Sequence, residues 1–413
     1  MRQATAALVL AGWLALGTAV PAKAATAAPA LMSTPRVYHF AVSLPDGGAL
    51  VGGGSDGRVE LATTERWEPE THAFRAAAGM SIPRSHAVAV ALRDGRALVA
   101  GGVANDAGIA TAEVYDPSAD RWSPVGAMAV PRWDAVGVVL DDGKVLVAGG
   151  YTGVGDAATA SAEVFDPQAG RWSRVAAMTG PRAGAGTMML PDGRPLVAGG
   201  VTGDFGEQPE LASTELFDPR TLSWAAGPPM AQPRASFVLA RLPNGGVIAA
   251  GGVDLAGGFL PLNTGETFNA AAGVWQRGPA LNLPHGPATG GVQANGVIIV
   301  AGGLGRPSAR SAVTAEALRP DGSRWELLPQ MHSRRSYAAF VGLLDGRGLI
   351  TGGFAGASPT ASADLYDLAA ANPPADGPIH GMAVPATTLV LLTLTGALAV
   401  AVLLQARALR RSA

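Results

Sequence analysis

The chain of 413 residues has no cysteine, which excludes disulfides, thiolate metal sites and cysteine nucleophiles; its stability has to come from packing. Charge is sparse as well. Asp, Glu, Lys and Arg make up 15% of the residues and the formal net charge is −2, so the composition offers no basic footprint for nucleic acid. Paired-carboxylate motifs, a nucleophile elbow and a phosphate-binding loop are missing, and the six histidines do not fall at metal-ligand spacing. No cofactor and no metal are therefore expected.

What the chain has in quantity is glycine (56) and proline (31), within an apolar fraction of 48% that is too high for a disordered polypeptide. Gly-Gly pairs stand at Gly53, Gly101, Gly149, Gly199, Gly251, Gly302 and Gly352, each with the glycine that follows, at separations of 48, 48, 50, 52, 51 and 50 residues. Seven copies at a period near fifty specify a repeat architecture. Each unit reads as four short segments. The first opens with Met-x-x-Pro-Arg and runs into Asp-Gly or Asn-Gly, the strongest short-range hairpin signal, for which a type I′ turn is expected. The second is the apolar run into Gly-Gly, as in VLVAGG at 145–150. The third carries an acid and an aromatic before Asp-Pro, as in AEVYDP at 112–117, and the fourth holds a large aromatic seven residues on. Trp122, Trp172, Trp224, Trp275 and Trp325 fill that last slot and are expected to pack between neighbouring sheets. Gly101, Gly102, Gly149 and Gly150 represent a pair needed for a turn and close packing, with no chemistry of its own.

Four strands per unit, joined by short turns, indicate an all-β protein, a seven-bladed β-propeller. At these residues the family becomes recognisable. The run into Gly-Gly, the Glu-x-Tyr/Phe-Asp-Pro segment, the spaced Trp and the following Met-x-x-Pro-Arg resemble kelch repeats over roughly residues 30 to 368. Asn269, Arg319, Leu281 and His285 depart locally from the pattern. The seventh unit lacks its fourth segment, since Pro373 stands in the Trp slot and proline cannot donate to a ladder. Residues 25–31 carry the spacing to complete that blade, with Thr26 in the Trp slot, so the propeller domain is expected to span 25–368.

Both ends carry apolar runs. Arg2, the stretch Ala6 to Val20 and Ala22-Lys23-Ala24 read as a signal peptide over residues 1–24. After a Pro-rich linker (369–381), residues 382–404 form an uncharged run long enough to be one C-terminal transmembrane helix, followed by a basic tail (405–413) with Arg407, Arg410 and Arg411. The expected arrangement is an exported bacterial protein with its propeller outside the cytoplasm, although the tail is also similar to C-terminal sorting signals that transpeptidases remove. The linker leaves from the Asp-Gly side, so the opposite face should point away from the membrane.

That opposite face carries the site expectation. Arg36, Arg84, Arg132, Arg182, Arg234, His285 and Arg335 open the innermost strands and should ring the channel mouth. They invite two readings. Each pairs with a strand-three acid (Glu65, Glu113, Glu163, Glu215, Glu266, Glu316 or Asp364), or several stay free to bind an anionic ligand, because guanidinium forks match carboxylates. The same column resembles positions that bind acidic peptides in kelch adaptor proteins. Longer loops after Gly-Gly in units three to six bring Tyr151, Asp156, Asp204, Phe205, Asp254 and Phe259 to this face. His39, His86 and His285 fall in or near inner strands, whereas His72, His332 and His380 read as solvated. The function expected is a non-catalytic module that binds a protein or saccharide of acidic character. Among kelch enzymes, the copper-radical oxidases need a Tyr–Cys cross-link that this chain cannot make. Sialic-acid mutarotases are the enzyme class that an arginine-lined mouth would suit.

Overall fold

The computed structural model describes residues 30–203, 209–255, 259–305 and 310–368. The expected signal peptide, linker, apolar C-terminal run and basic tail lie outside the described residues, as do Asp204 and Phe205. Among the described residues no helix is long and apolar enough to cross a membrane.

Seven four-stranded antiparallel sheets follow one another along the chain. Blade three shows the plan: Val136–Val139, Val145–Ala148, Ala162–Asp166 and Arg171–Val175 pair in sequence order. The second strand is buried along its whole length while every position of the fourth is exposed or half-buried. A strand with a neighbouring blade against each face buries both sets of side chains, which is why VLVA and its counterparts read as unbroken apolar runs rather than alternating ones. First strands of adjacent blades touch all the way round, blade seven meeting blade one.

The seventh sheet takes three strands from the end of the chain, Ala339–Gly342, Gly348–Thr351 and Ser362–Tyr366, and its outer strand, Ala30–Leu31, from the beginning. Ala30 pairs with Ala363 and Leu31 with Ser362, and the Met32 amide donates to the Ala361 carbonyl at 2.9 Å. The Met32 side chain is buried in the cluster between blades seven and one, beside Trp67 and Leu349.

The inner hairpin turns differ from the type I′ expectation. In blade three the Gly143 amide donates to Leu140 O (2.9 Å) and the Leu140 amide to Lys144 O (2.7 Å), and of the Asp142-Gly143 pair only Gly143 has positive φ. This is a type I turn closed by a left-handed glycine, a three-residue loop with a bulge. Asp142 Oδ1 accepts the Lys144 amide at 3.0 Å, an Asx-type bond that supplies what the aspartate contributes.

The Gly-Gly pair is a joint between blades. Gly101 and Gly102 have φ of +68° and +103°, and the Gly102 amide donates to the carbonyl of Arg132 in the next blade at 2.9 Å. A Cβ on Gly101 would lie 2.3 Å from that same carbonyl oxygen, so no side chain fits. Gly149 and Gly150 repeat the arrangement against Arg182. The fourth-strand tryptophans also bridge: Nε1 of Trp122 donates to Ala78 O at 2.9 Å, Trp224 to Ala176 O at 2.9 Å and Trp325 to Pro279 O at 3.2 Å, each acceptor belonging to the preceding unit. Trp172 and Trp275 occupy the same register, 5.0 and 5.3 Å from the ring centroids of Phe165 and Phe268.

Candidate functional site at the channel mouth

Arg36, Arg84, Arg132, Arg182, Arg234, His285 and Arg335 stand just before the seven inner strands, with relative exposures of 0–2%. Their side chains run into their own blades. Arg132 Nη1 donates to the carbonyls of Gly149 (2.9 Å) and Ser161 (2.9 Å), and Nη2 to Ser161 Oγ (3.1 Å) and Glu163 Oε1 (2.9 Å). Glu163 in turn accepts the amides of Ala129 (2.7 Å) and Val130 (3.2 Å), in the segment arriving from the outer strand of the preceding blade. The set recurs as Arg36–Glu65 (2.9 Å), Arg84–Glu113 (2.9 Å), Arg182–Glu215 (2.8 Å), Arg234–Glu266 (3.0 Å) and Arg335–Asp364 (2.5 Å). In blade six His285 replaces it, with Nδ1 2.8 Å from Gly302 O and Nε2 3.3 Å from Glu316 Oε1. The six arginines and His285 therefore form clamps inside the wall, not a ring of free side chains at the mouth. His332, read as solvated from sequence, is half-buried, with Nδ1 2.7 Å from Asp364 Oδ1.

What faces the mouth lies two residues further on. Tyr38, His86, Asp134, Ser236 and Tyr337 all have left-handed backbone, with φ of 56°, 57°, 58°, 52° and 54°, and Gly184 joins them at 59°. In blade six the equivalent residue is Pro287, after a cis Gly286-Pro287 bond. These residues link to one another through their main chains: the His86 amide donates to Tyr38 O (3.0 Å), Asp134 to His86 O (3.3 Å) and Gly184 to Asp134 O (3.0 Å). A run of non-glycine residues at positive φ is uncommon, costs energy at each position and concentrates at functional sites.

The side chains of this girdle make an aromatic arc. Tyr38 stacks on His86 with ring centroids 4.0 Å apart and lies 5.2 Å from Tyr337 and 5.7 Å from Phe354; His86 meets Trp133 edge-on at 5.6 Å, and Trp133 lies 4.7 Å from Tyr151. Asp134 belongs to the same girdle with an exposure of 1%, and neither carboxylate oxygen has a hydrogen-bond partner. Tyr38 Oη and His86 Nε2 are likewise unpaired, although His86 Nδ1 is 3.1 Å from Ser85 Oγ. Burial pushes the Asp134 carboxyl well above its ordinary value. Burial, then the charges of Tyr337 and Asp134, raise Tyr38, while burial and Asp134 raise Tyr337 and Tyr151. Burial also pushes His86 down to about 3.

Of the long-loop residues, Tyr151 is buried at the mouth, and Phe259 and Leu255 pack against its apolar cluster with Trp133, Val201 and Val253. Asp254 lies in the short strand Val253–Asp254, paired with Leu260–Pro261, and Asp156 is exposed, accepting from Thr152 Oγ1 at 2.8 Å. Sequence reasoning missed the girdle because its seven members share no residue type. No positional signal marks it either, because the column one residue past each repeated arginine or His285 (Val, Ser, Trp, Ala, Ala, Gly, Ser) varies as much as the girdle column itself (Tyr, His, Asp, Gly, Ser, Pro, Tyr).

No curated protein matches the sequence. Among solved structures, a fungal alcohol oxidase of the AA5 family in complex with copper is similar, with a TM-score of 0.66 at 17% identity over 82% of this chain and 75% of that one. YjhT is similar with a TM-score of 0.57 at 16% identity, covering 72% of this chain and 98% of that one. At these identities the likeness is one of fold. Residues 83–129 and 133–179 match the Kelch motif, and with the seven four-stranded sheets they support a kelch-repeat β-propeller.

Proposed function

We propose that this chain is a non-catalytic binding module, held outside the cytoplasm by its C-terminal apolar run, that receives a protein or saccharide ligand at the channel mouth. The observation that carries this reading is the girdle itself. Its positions are held in strained backbone, and it keeps unpaired polar atoms on Tyr38, His86 and Asp134 where buried polar groups are ordinarily satisfied. Every buried arginine nearby already has its carboxylate, so recognition rests on the girdle rather than on the clamps. Glycan and peptide arrays probed with the full chain test this. Asp134→Asn with Tyr337→Phe should abolish or re-rank the bound set, whereas Arg96→Ala, at an exposed ion pair on the opposite face, should leave it unchanged. Identical array profiles for all three proteins would end the proposal.

A second reading is favoured by one observation. A carboxyl whose proton affinity is raised by burial, beside an imidazole and two phenols, is equipment for general acid–base chemistry of the kind sugar mutarotation requires. Exchange between the anomers of N-acetylneuraminic acid, followed by NMR with and without the chain, separates the two readings. The chemistry of a copper-radical oxidase does not fit these residues. The chain has no cysteine for the cross-link, and among the described residues no group of three His, Cys, Asp or Glu side chains could hold a metal ion.

A further inference from the structure

We propose that the channel mouth takes a primary ammonium group, with Asp134 as its counter-ion and Tyr38, His86 and Tyr337 as its walls. This rests on the reading of the mouth as the binding site and reverses the charge of ligand that the arginine column suggests.

Three observations on the girdle converge. The first is the uncompensated acid. Asp134 is buried, both its oxygens lack partners, and burial is the cause of its altered proton affinity; among the described residues no cation stands against it. The nearest arginine in sequence, Arg132, is committed to Glu163 on the far side of strand two. A carboxyl desolvated without a partner is costly, and a cation entering beside it recovers that cost. The second is the wall. Tyr38, His86 and Tyr337 form a continuous π surface with 4.0 and 5.2 Å between ring centroids, extended by Phe354 and Trp133. Aromatic faces around a site attract cations and repel anions. The third is the balance of donors and acceptors. The unpaired atoms include Asp134 Oδ1 and Oδ2 and the Tyr38 hydroxyl, which can accept. Unpaired acceptors call for a donor and the desolvated acid calls for positive charge; a primary ammonium supplies both, whereas a quaternary ammonium has no N–H to donate. A lysine side chain of a protein ligand and a free amine or amino sugar share this chemistry.

The test is a calorimetric titration of the full chain with n-butylammonium, with an Nα-acetyl-lysine methylamide, with tetramethylammonium, and with the neutral norleucine analogue of the lysine compound. Binding of either primary ammonium, with affinity for tetramethylammonium and for norleucine lower by about tenfold or more, is the expected result. A lysine compound that outbinds n-butylammonium points to a protein source, and the reverse to a free amine. Asp134→Asn should remove at least about tenfold of the affinity. Tyr38→Leu should weaken binding while leaving the carboxylate in place, so the proposal does not depend on one variant. No binding by either primary ammonium, or equal binding of the norleucine analogue, overturns it. If the girdle variants nevertheless alter the array profile, only the ammonium assignment fails; if they alter neither, the binding-site reading fails with it.

Discussion

Removing one clamp arginine tests the assignment of the arginine column most directly. In Arg132→Ala the guanidinium leaves behind Glu163, which is 1% exposed and keeps only the amides of Ala129 and Val130, and it leaves the carbonyls of Gly149 and Ser161 without their side-chain donor. Breaking a buried pair by deleting one partner costs about 3–5 kcal/mol, because the remaining charge stays desolvated. Melting entropy of about 2.1 cal/mol/K per residue over the 327 described residues is roughly 0.7 kcal/mol/K, so the loss corresponds to a Tm lower by roughly 4–7 °C. Arg96→Ala is the control. Its partner Asp94 is 2.7 Å away but both side chains are more than a third exposed, and such pairs contribute about 0–1 kcal/mol, or less than roughly 1.5 °C. Arg132→Met with Glu163→Leu should recover much of the loss, since replacing both partners by apolar groups removes the orphaned charge. Calorimetry of the four proteins at one pH reads the whole series. Equal shifts for Arg132→Ala and Arg96→Ala would refute the clamp assignment, as would an Arg132→Ala protein that keeps its Tm and loses only ligand affinity.

Gly149→Ala should cost well over the roughly 1 kcal/mol expected at Gly170, because both need positive φ but only Gly149 has a carbonyl, that of Arg182, 2.4 Å from the added Cβ; urea midpoints compare them. Met32→Ala should lower stability by about 2–5 kcal/mol and speed proteolysis of residues 362–366 first, since that side chain secures the two-residue closing strand. The buried histidines set an acid limit. His39 is held well below its ordinary range by burial and by Arg36 and Arg335, and His86 is held at about 3. Folded values below unfolded ones give stability that is present above about pH 6.5 and lost as pH falls, toward about 3 for His86, so a His86→Gln chain should lose less on acidification. Asp134 has the opposite sign. Its raised folded value gives stability present below the unfolded value and lost as pH rises, so Asp134→Asn should stabilise the unliganded chain more at pH 8 than at pH 4, by roughly 1–3 kcal/mol. Thermal melts across pH check both.

The blade plan was legible because each of its devices repeats. Gly-Gly, the spaced tryptophan and the Asp-Gly turn answer to backbone constraints that recur seven times, and a period is visible in sequence even when its cause is not. The turn type was misjudged because Asp-Gly suits two hairpin geometries, and the Asx bond from Asp142 to the Lys144 amide favours the one with a single left-handed residue. The arginine column was visible but its direction was not. Whether Arg132 points to the channel or across strand two depends on the side-chain path past Gly149, which sequence does not encode. The girdle was the least legible. Tyr38, His86 and Asp134 share a backbone conformation and a location, and neither leaves a trace in residue type.

The main-chain bonds that link Tyr38, His86, Asp134 and Gly184 involve only peptide groups, so the mouth is assembled without reference to the side chains it displays. Six of its seven places already tolerate phenol, imidazole, carboxyl, hydroxyl or hydrogen on the same left-handed backbone. Such a rim behaves as a set of interchangeable sockets. Its recognition chemistry can be rewritten one place at a time while the wall beneath stays the same, and the steric bias of positive φ against β-branched residues is the main grammar such rewriting has to obey.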